Sequence, residues 1–194
     1  MIELIPDSYV DRLDLEAVFG RRAPLEVDLG CGDGSFLCAL ARARPEHDFL
    51  GIERLLGRVH SSAHKARDLA NVRVLRLETF YTIRYLLPEN SVSAFYLLFP
   101  DPWPKRRHQR RRVVNPDFLD AIARALAPGG TLRVVTDQLD YFRQIQALAG
   151  SSNELRATAA NDEEQFPASA FERKFLSAGV EVYRLTLRKV SPVR

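Results

Sequence analysis

Two stretches of this chain concentrate residue types that can do chemistry. The first covers residues 95–112, FYLLFPDPWPKRRHQRRR. Its apolar start has the residue types of a strand and ends at Phe99. Pro100, Pro102 and Pro104 then fix φ and remove three backbone donors, so neither a helix nor a central strand can continue. The chain must turn out of a sheet there, leaving a carboxylate, Asp101, and a large aromatic ring, Trp103, at a strand end. Six of the eight residues 105–112 are Lys or Arg. An acid, a stacking plane and a cationic tail side by side suit a protein that holds a nucleobase while gripping phosphates. An exposed turn followed by a solvated basic run is the competing reading of the same residues.

The second stretch is Asp28-Leu29-Gly30-Cys31-Gly32-Asp33-Gly34. Residues 25–29 read as a short strand, the glycines follow directly, and residues 35–44 resume with helical periodicity through Phe36, Leu37, Leu40 and Ala41 until Pro45. A second strand, 49–52, ends at Glu53. Glycines let a backbone approach a nucleoside closely, and an acid at the end of strand two can accept both ribose hydroxyls. The spacing is G-x-G-x-G, whereas a dinucleotide site shows G-x-G-x-x-G, and carboxylates at Asp28 and Asp33 would repel a pyrophosphate. They suit a cofactor with a cationic amino group, and S-adenosylmethionine carries one beside its sulfonium. NAD binding, or a glycine-rich turn in some other α/β domain, is the alternative.

The elements that must position these groups alternate. A helix is predicted over 54–70 and a third strand over 72–77, ending at Glu78-Thr79, where the Glu78 carboxylate or the Thr79 backbone can bond an adenine amino group. A short helix, 82–87, and a fourth strand, 92–99, follow. Asn115 can cap a helix with Pro116 at its first position and a buried face of Phe118, Leu119, Ile122, Ala123 and Leu126. Pro128-Gly129-Gly130 ends it, a fifth strand over 131–135 ends at Thr136-Asp137, and a helix over 138–149 is closed by Gly150. Strands are expected again at 155–159 and 180–187. This alternation predicts a doubly wound α/β sheet. Five strands in it end at acids, Asp28, Glu53, Glu78, Asp101 and Asp137, and carboxyl strand ends line the ligand crevice of such a sheet.

With 194 residues and no Pro/Gly/Ser-rich linker, one domain is expected over 1–194, its core at about 25–189. The net charge is +3, yet without the six cations of 105–112 there are 22 basic against 25 acidic side chains, so the basic character is local, as in a binding patch. No apolar run approaches the roughly 20 residues of a membrane helix, and residues 1–16 lack the basic start and apolar stretch of a signal peptide. A cytoplasmic location is the default expectation. Cys31 and Cys38 read as small packing residues. His60 and His64 share a helix face with no Glu between them, so no metal site is expected.

These residues resemble the tRNA (guanine-N7-)-methyltransferases of bacteria. The resemblance runs from about residue 25 to 189. It is carried by Phe99-Pro100-Asp101-Pro102-Trp103-Pro104-Lys105-x-Arg107-His108, with Gly51-Ile52-Glu53, Thr136-Asp137 and Phe171-Glu172. It implies a Rossmann-like, mostly parallel sheet of seven strands, the last antiparallel. It implies S-adenosylmethionine held by Asp28, Gly30, Gly32, Gly34, Glu53, Glu78 and Thr79, with Asp101 at the active site. It also implies tRNA contacts from Lys105, Arg107, His108, Arg110, Arg111, Asp137, Ser169, Phe171 and Glu172, and a target guanine in the variable loop. The whole run Lys105, Arg106, Arg107, Arg110, Arg111 and Arg112 is expected to grip the tRNA. Against the family pattern, Asp28 stands for Glu, Glu78 for Asp and Ser169 for Thr; each keeps its functional group. Trp103 is open to two roles, stacking on a base or packing as a lid. A methyltransferase for another acceptor, such as an exocyclic amine, and a non-catalytic nucleic-acid-binding module stay open as other classes. Both a monomer and a homodimer are compatible with the sequence.

Overall fold

The glycine loop leaves the carboxyl end of a strand at the centre of the sheet. In the computed structural model, which describes residues 2–158 and 170–190, the strands are β1 (Glu3–Leu4), β2 (Leu25–Leu29), β3 (Asp48–Glu53), β4 (Val72–Arg76), β5 (Val92–Leu98), β6 (Leu126–Thr136), β7 (Leu155–Ala157) and β8 (Tyr183–Lys189). The helices are α1 (Leu15–Phe19), α2 (Ser35–Ala43), α3 (Leu56–Lys65), α4 (Thr79–Tyr81), α5 (Pro116–Ala125), α6 (Leu139–Gly150) and α7 (Ala170–Ser177). A π-helical turn, Thr82–Leu86, extends α4, and a 3-10 helix occupies Arg106–Arg111.

The sheet order is β1-β4-β3-β2-β5-β6-β8-β7. From β1 to β6 all neighbours are parallel, and β8 runs antiparallel to both β6 and β7. The chain builds outward from β2 through β3 to β4, then returns to place β5 on the other side of β2. The order therefore reverses at β2 and β5, and loops leaving a reversal point diverge and open a crevice.

Side chains alternate between the two faces, as the strand period requires. Leu25, Val27 and Leu29 of β2 join Phe95 and Leu97 of β5 and Phe118, Ile122, Tyr141 and Ile145 of α5 and α6 in one buried cluster. On the other face Phe36, Leu37, Leu40 and Ala41 of α2 pack with Phe49, Val72, Val74, Ala94 and Tyr96. A Cβ at Gly51 would stand 2.6 Å from Leu37 Cδ2 and 2.8 Å from Cys31 Sγ, so glycine there lets α2 lie close on β3. The predicted cap of α5 is present: Asn115 Oδ1 accepts the Phe118 N–H at 3.0 Å, with Pro116 in the first turn.

Among the described residues the sheet has eight strands where seven were expected. The extra one is β1, two residues long and paired in parallel with Val74 and Leu75. A segment that short shows no period, and its place is decided by the open edge of β4. Helix α3 ends at Lys65, five residues before its periodicity was expected to stop. Strand β6 begins at Leu126, so Pro128-Gly129-Gly130 lies inside it as an irregularity: the register moves from Val92↔Leu126 to Ala94↔Thr131. Among the described residues no helix is long and apolar enough to cross a membrane.

Candidate active site

The five strand-end acids follow one another across adjacent parallel strands, Glu78, Glu53, Asp28, Asp101, Asp137, in the order β4-β3-β2-β5-β6. Their environments differ. Asp28 is 3% exposed, and no hydrogen bond or ion pair to its carboxylate is found among the described residues. Burial first, and the neighbouring Glu53 second, push its carboxyl up to about 7. Glu53 is also buried, with Oε1 accepting the Leu55 N–H at 2.8 Å and Oε2 the Gly32 N–H at 3.2 Å. Arg58 approaches Glu53 Oε2 at 3.9 Å. The glycine loop is thus latched to the end of β3 by the acid expected there.

Gly34 closes that loop and starts α2 with φ +74; a Cβ on it would stand 2.8 Å from Ser62 Cβ, so both backbone and packing call for glycine. Methyl groups at Gly30 and Gly32 would meet no protein atom nearer than 4.0 Å. Asp33 differs from Asp28 in being satisfied. Its oxygens accept from Ser35 N, Ser35 Oγ and Lys65 Nζ, and although partial burial opposes ionisation, these hydrogen bonds hold the carboxyl below its usual range. Asp33 thus ties the loop to α3, and its charge is answered by Lys65. Glu78 is exposed and caps α4, accepting from Phe80 N at 3.0 Å and Tyr81 N at 2.6 Å; Thr79 begins that helix.

On the other side of the reversal point, β5 stops at Leu98. Phe99 and Trp103 have φ of 50 and 41, in the left-handed region that non-glycine residues rarely adopt, and exposed Asp101 lies between them. Trp103 is half-buried, with the Arg111 guanidinium 5.0 Å over its ring and His108 edge-on at 6.0 Å. A base could stack on the Arg111 face only by displacing that side chain. Lys105, Arg106, Arg107, Arg110 and Arg111 are exposed on and beside the 3-10 helix.

Arg112 corrects the expected basic grip. It is 4% exposed and turned inward, bonded to Pro102 O, Gln144 Oε1 and Asp140 Oδ2. Nothing in six cations among eight residues marks this one as internal; the apolar Val113-Val114 that follows is the signal available. Asp137 is half-buried and accepts from Gln138 Nε2 at 2.7 Å. Glu172, on α7, is buried and paired with the Arg184 guanidinium of β8, so its carboxylate joins two elements of the fold. Ser169 and the side chain of Phe171 lie outside the described residues. Cys31 and Cys38 are buried and unbridged, and His60 is exposed on α3. A cavity of about 570 Å³ lies along the N-terminal segment, bordered by Ile5, Asp11, Arg12, Leu13, Val18 and Arg73, and includes none of the five strand-end acids.

A family model described as a methyltransferase matches residues 22–185. A tRNA (guanine-N(7)-)-methyltransferase of Leifsonia xyli subsp. xyli is 41% identical over 184 residues, which is 91% of this chain and 81% of that protein. One from Syntrophotalea carbinolica is 36% identical over 189 residues, 94% of this chain and 82% of the relative. Among solved structures, the antibiotic-resistance methyltransferase Kmr shares the fold with a TM-score of 0.65 at 16% identity, covering 97% of this chain and 96% of that one.

Proposed function

Because the chain belongs to the tRNA (guanine-N7-)-methyltransferase family, we propose that it transfers a methyl group from S-adenosylmethionine to N7 of a guanine in tRNA. The observation that carries the reading is the adjacency of two loops at one reversal point. The Asp28–glycine loop leaves β2 and the Asp101 loop leaves its neighbour β5, with the exposed cations beginning four residues beyond Asp101.

The residues fit the cofactor. Asp28 is a buried carboxylate with no partner among the described residues, the natural complement of a cationic amino group. Glu53 has lone pairs left for ribose hydroxyls beyond its two backbone bonds. The bare backbone of Gly30 and Gly32 permits close approach. Glu78, or the backbone at Thr79, is the candidate for the adenine amino group. When bound, S-adenosylmethionine supplies a methyl group activated by its sulfonium.

Guanine N7 carries an in-plane lone pair and no hydrogen, so the chain needs no general base. Asp101 instead orients the acceptor, its carboxylate accepting from guanine N1–H and N2–H, a pair of donors that adenine does not offer on that edge. Lys105, Arg106, Arg107, Arg110 and Arg111 hold phosphates, with His108, Asp137, Ser169 and Phe171 as further candidate tRNA contacts, whereas Glu172, buried against Arg184, serves the fold. In-line approach and exclusion of water together can be worth about 7–11 kcal/mol.

Incubation with a labelled methyl donor and unmodified tRNA, followed by nucleoside analysis, tests the reading. 7-Methylguanosine is the expected product; a methylated exocyclic amine would move the assignment to the other acceptor class. Asp101→Asn turns an acceptor into a donor facing a donor. It should bind cofactor nearly as before while transfer falls roughly a hundredfold. Rescue of that variant at high pH would make Asp101 a general base and defeat the orienting role.

A further inference from the structure

The Asp101 loop cannot hold its own shape. Pro100, Pro102 and Pro104 have no N–H to donate, and two of its residues, Phe99 and Trp103, sit in the left-handed region. Among the described residues, 100–104 make a single hydrogen bond, from Arg112 Nε to Pro102 O at 2.8 Å. Pro102 is the residue after Asp101.

The same guanidinium is anchored at its other end by one face of α6. Nη1 donates to Gln144 Oε1 at 2.6 Å, Nη2 donates to Asp140 Oδ2, and the group lies 4.5 Å from the centre of the Tyr141 ring. Tyr141 in turn accepts the Val114 N–H, two residues beyond Arg112, at 3.1 Å. Helix α6 follows directly from Thr136-Asp137 at the end of β6. One buried cation therefore joins the strand end that carries Asp101 to the neighbouring strand end that carries Asp137.

We propose that Arg112 is a positioning residue: a strut that sets the Asp101 loop on α6 and so fixes where the acid meets the base. Its kinetic consequence rests on the methyl-transfer reading, and its structural consequence does not. Lysine cannot replace it. A point-charge ammonium on a flexible stem keeps the charge but cannot reach Pro102, Asp140 and Gln144 together while stacking on Tyr141.

The chain has one tryptophan, Trp103, inside the loop, so its fluorescence reports the loop whatever the substrate is. In Arg112→Lys, acrylamide quenching of Trp103 should rise about twofold or more, with the circular dichroism and the affinity for S-adenosylmethionine unchanged. On tRNA, kcat should fall roughly a hundredfold, the effect of a misplacement of about 1 Å, with KM and the salt dependence of binding unmoved. Gln144→Ala keeps Arg112 but removes one anchor, and should give the same pattern at smaller size. It decides the matter by the same criteria if the lysine variant does not fold. Unchanged quenching together with unchanged kcat would overturn the strut. A raised KM with a shallower salt slope would also overturn it, by making Arg112 a phosphate contact. A wild-type protein that leaves tRNA unmethylated would defeat the functional reading alone, and the quenching comparison would still test the strut.

Discussion

Glu26 and Asp28 stand two residues apart on β2, on the same face of the sheet and at nearly equal burial, 1% and 3% exposed. Glu26 is satisfied from three sides: Arg44 Nη1 donates to Oε1 at 2.7 Å, His47 Nδ1 to the same oxygen at 2.6 Å, and the Tyr96 hydroxyl to Oε2 at 2.7 Å. Burial and Glu26 together push the Tyr96 hydroxyl up, which keeps it a donor. Asp28 has beside it the backbone of Gly51 on one neighbouring strand and Tyr96 on the other, and Tyr96 gives its proton to Glu26. Two carboxylates of one strand thus separate into one completed by the fold and one without a partner among the described residues. The fold meets the cost of burying Glu26 internally; for Asp28 that cost appears as an elevated pKa.

Glu26→Ala attacks the completed side and carries the largest expected effect. It removes the acceptor of the Tyr96 hydroxyl proton and the acid facing Arg44, so denaturant unfolding should show a loss of about 3 kcal/mol or more. Cofactor affinity of the folded fraction should stay within about twofold. If affinity fell in step with stability, the two acids would form one unit and the contrast would fail.

The pH dependence tests the other side. Asp28 titrates near 4 when unfolded and at about 7 in the fold, so between those values the folded state holds the proton more tightly. The contribution is fully present below about pH 4 and is lost as pH rises through about 7, by a few kcal/mol in all. Thermal unfolding from pH 5 to 8 should show this slope, and Asp28→Asn should flatten it. A cationic ligand favours the ionised carboxylate, so stabilisation by S-adenosylmethionine should grow over the same range. A ligand effect that shrinks with pH would mean that Asp28 does not face a cation.

Asp28→Asn should also weaken S-adenosylmethionine by about 2 kcal/mol, roughly thirtyfold, because a hydrogen bond to a charged acceptor is lost. Calorimetry would show this beside unchanged or higher stability at pH 8, the opposite of the Glu26 result. The smallest effect belongs to Tyr96→Phe. It removes one of three donors to Glu26 and should cost about 1 kcal/mol with no change in the pH slope. A change in slope would show that Tyr96 serves Asp28 as well.

Much of the site follows from signals confined to a few neighbouring residues. Period-two apolar runs, the glycine triplet and the prolines around Asp101 place β2, β3, β5 and their loops within a residue or two, because each depends on local φ, ψ and on which face is apolar. Five acids at strand ends therefore fall on one rim as soon as the strands are parallel. The final fate of each acid is another matter. Asp33 meets a lysine 32 residues away, Glu26 is closed by Tyr96 70 residues on, and Glu172 pairs with Arg184 across a turn of the chain.

The α/β alternation, the G-x-G-x-G loop that follows an acid, the proline-bounded carboxylate and the local basic charge are legible in the chain because each rests on residue type and short-range spacing. Contacts between distant segments add β1 to the strands expected, leave Asp28 without a partner among the described residues where Glu26 has three, and turn Arg112 from the basic surface to Pro102 and α6. The physical reason is common to all three. Burial and pairing belong to contacts between segments far apart in sequence, and the free energy of a charge is set by what those contacts place around it.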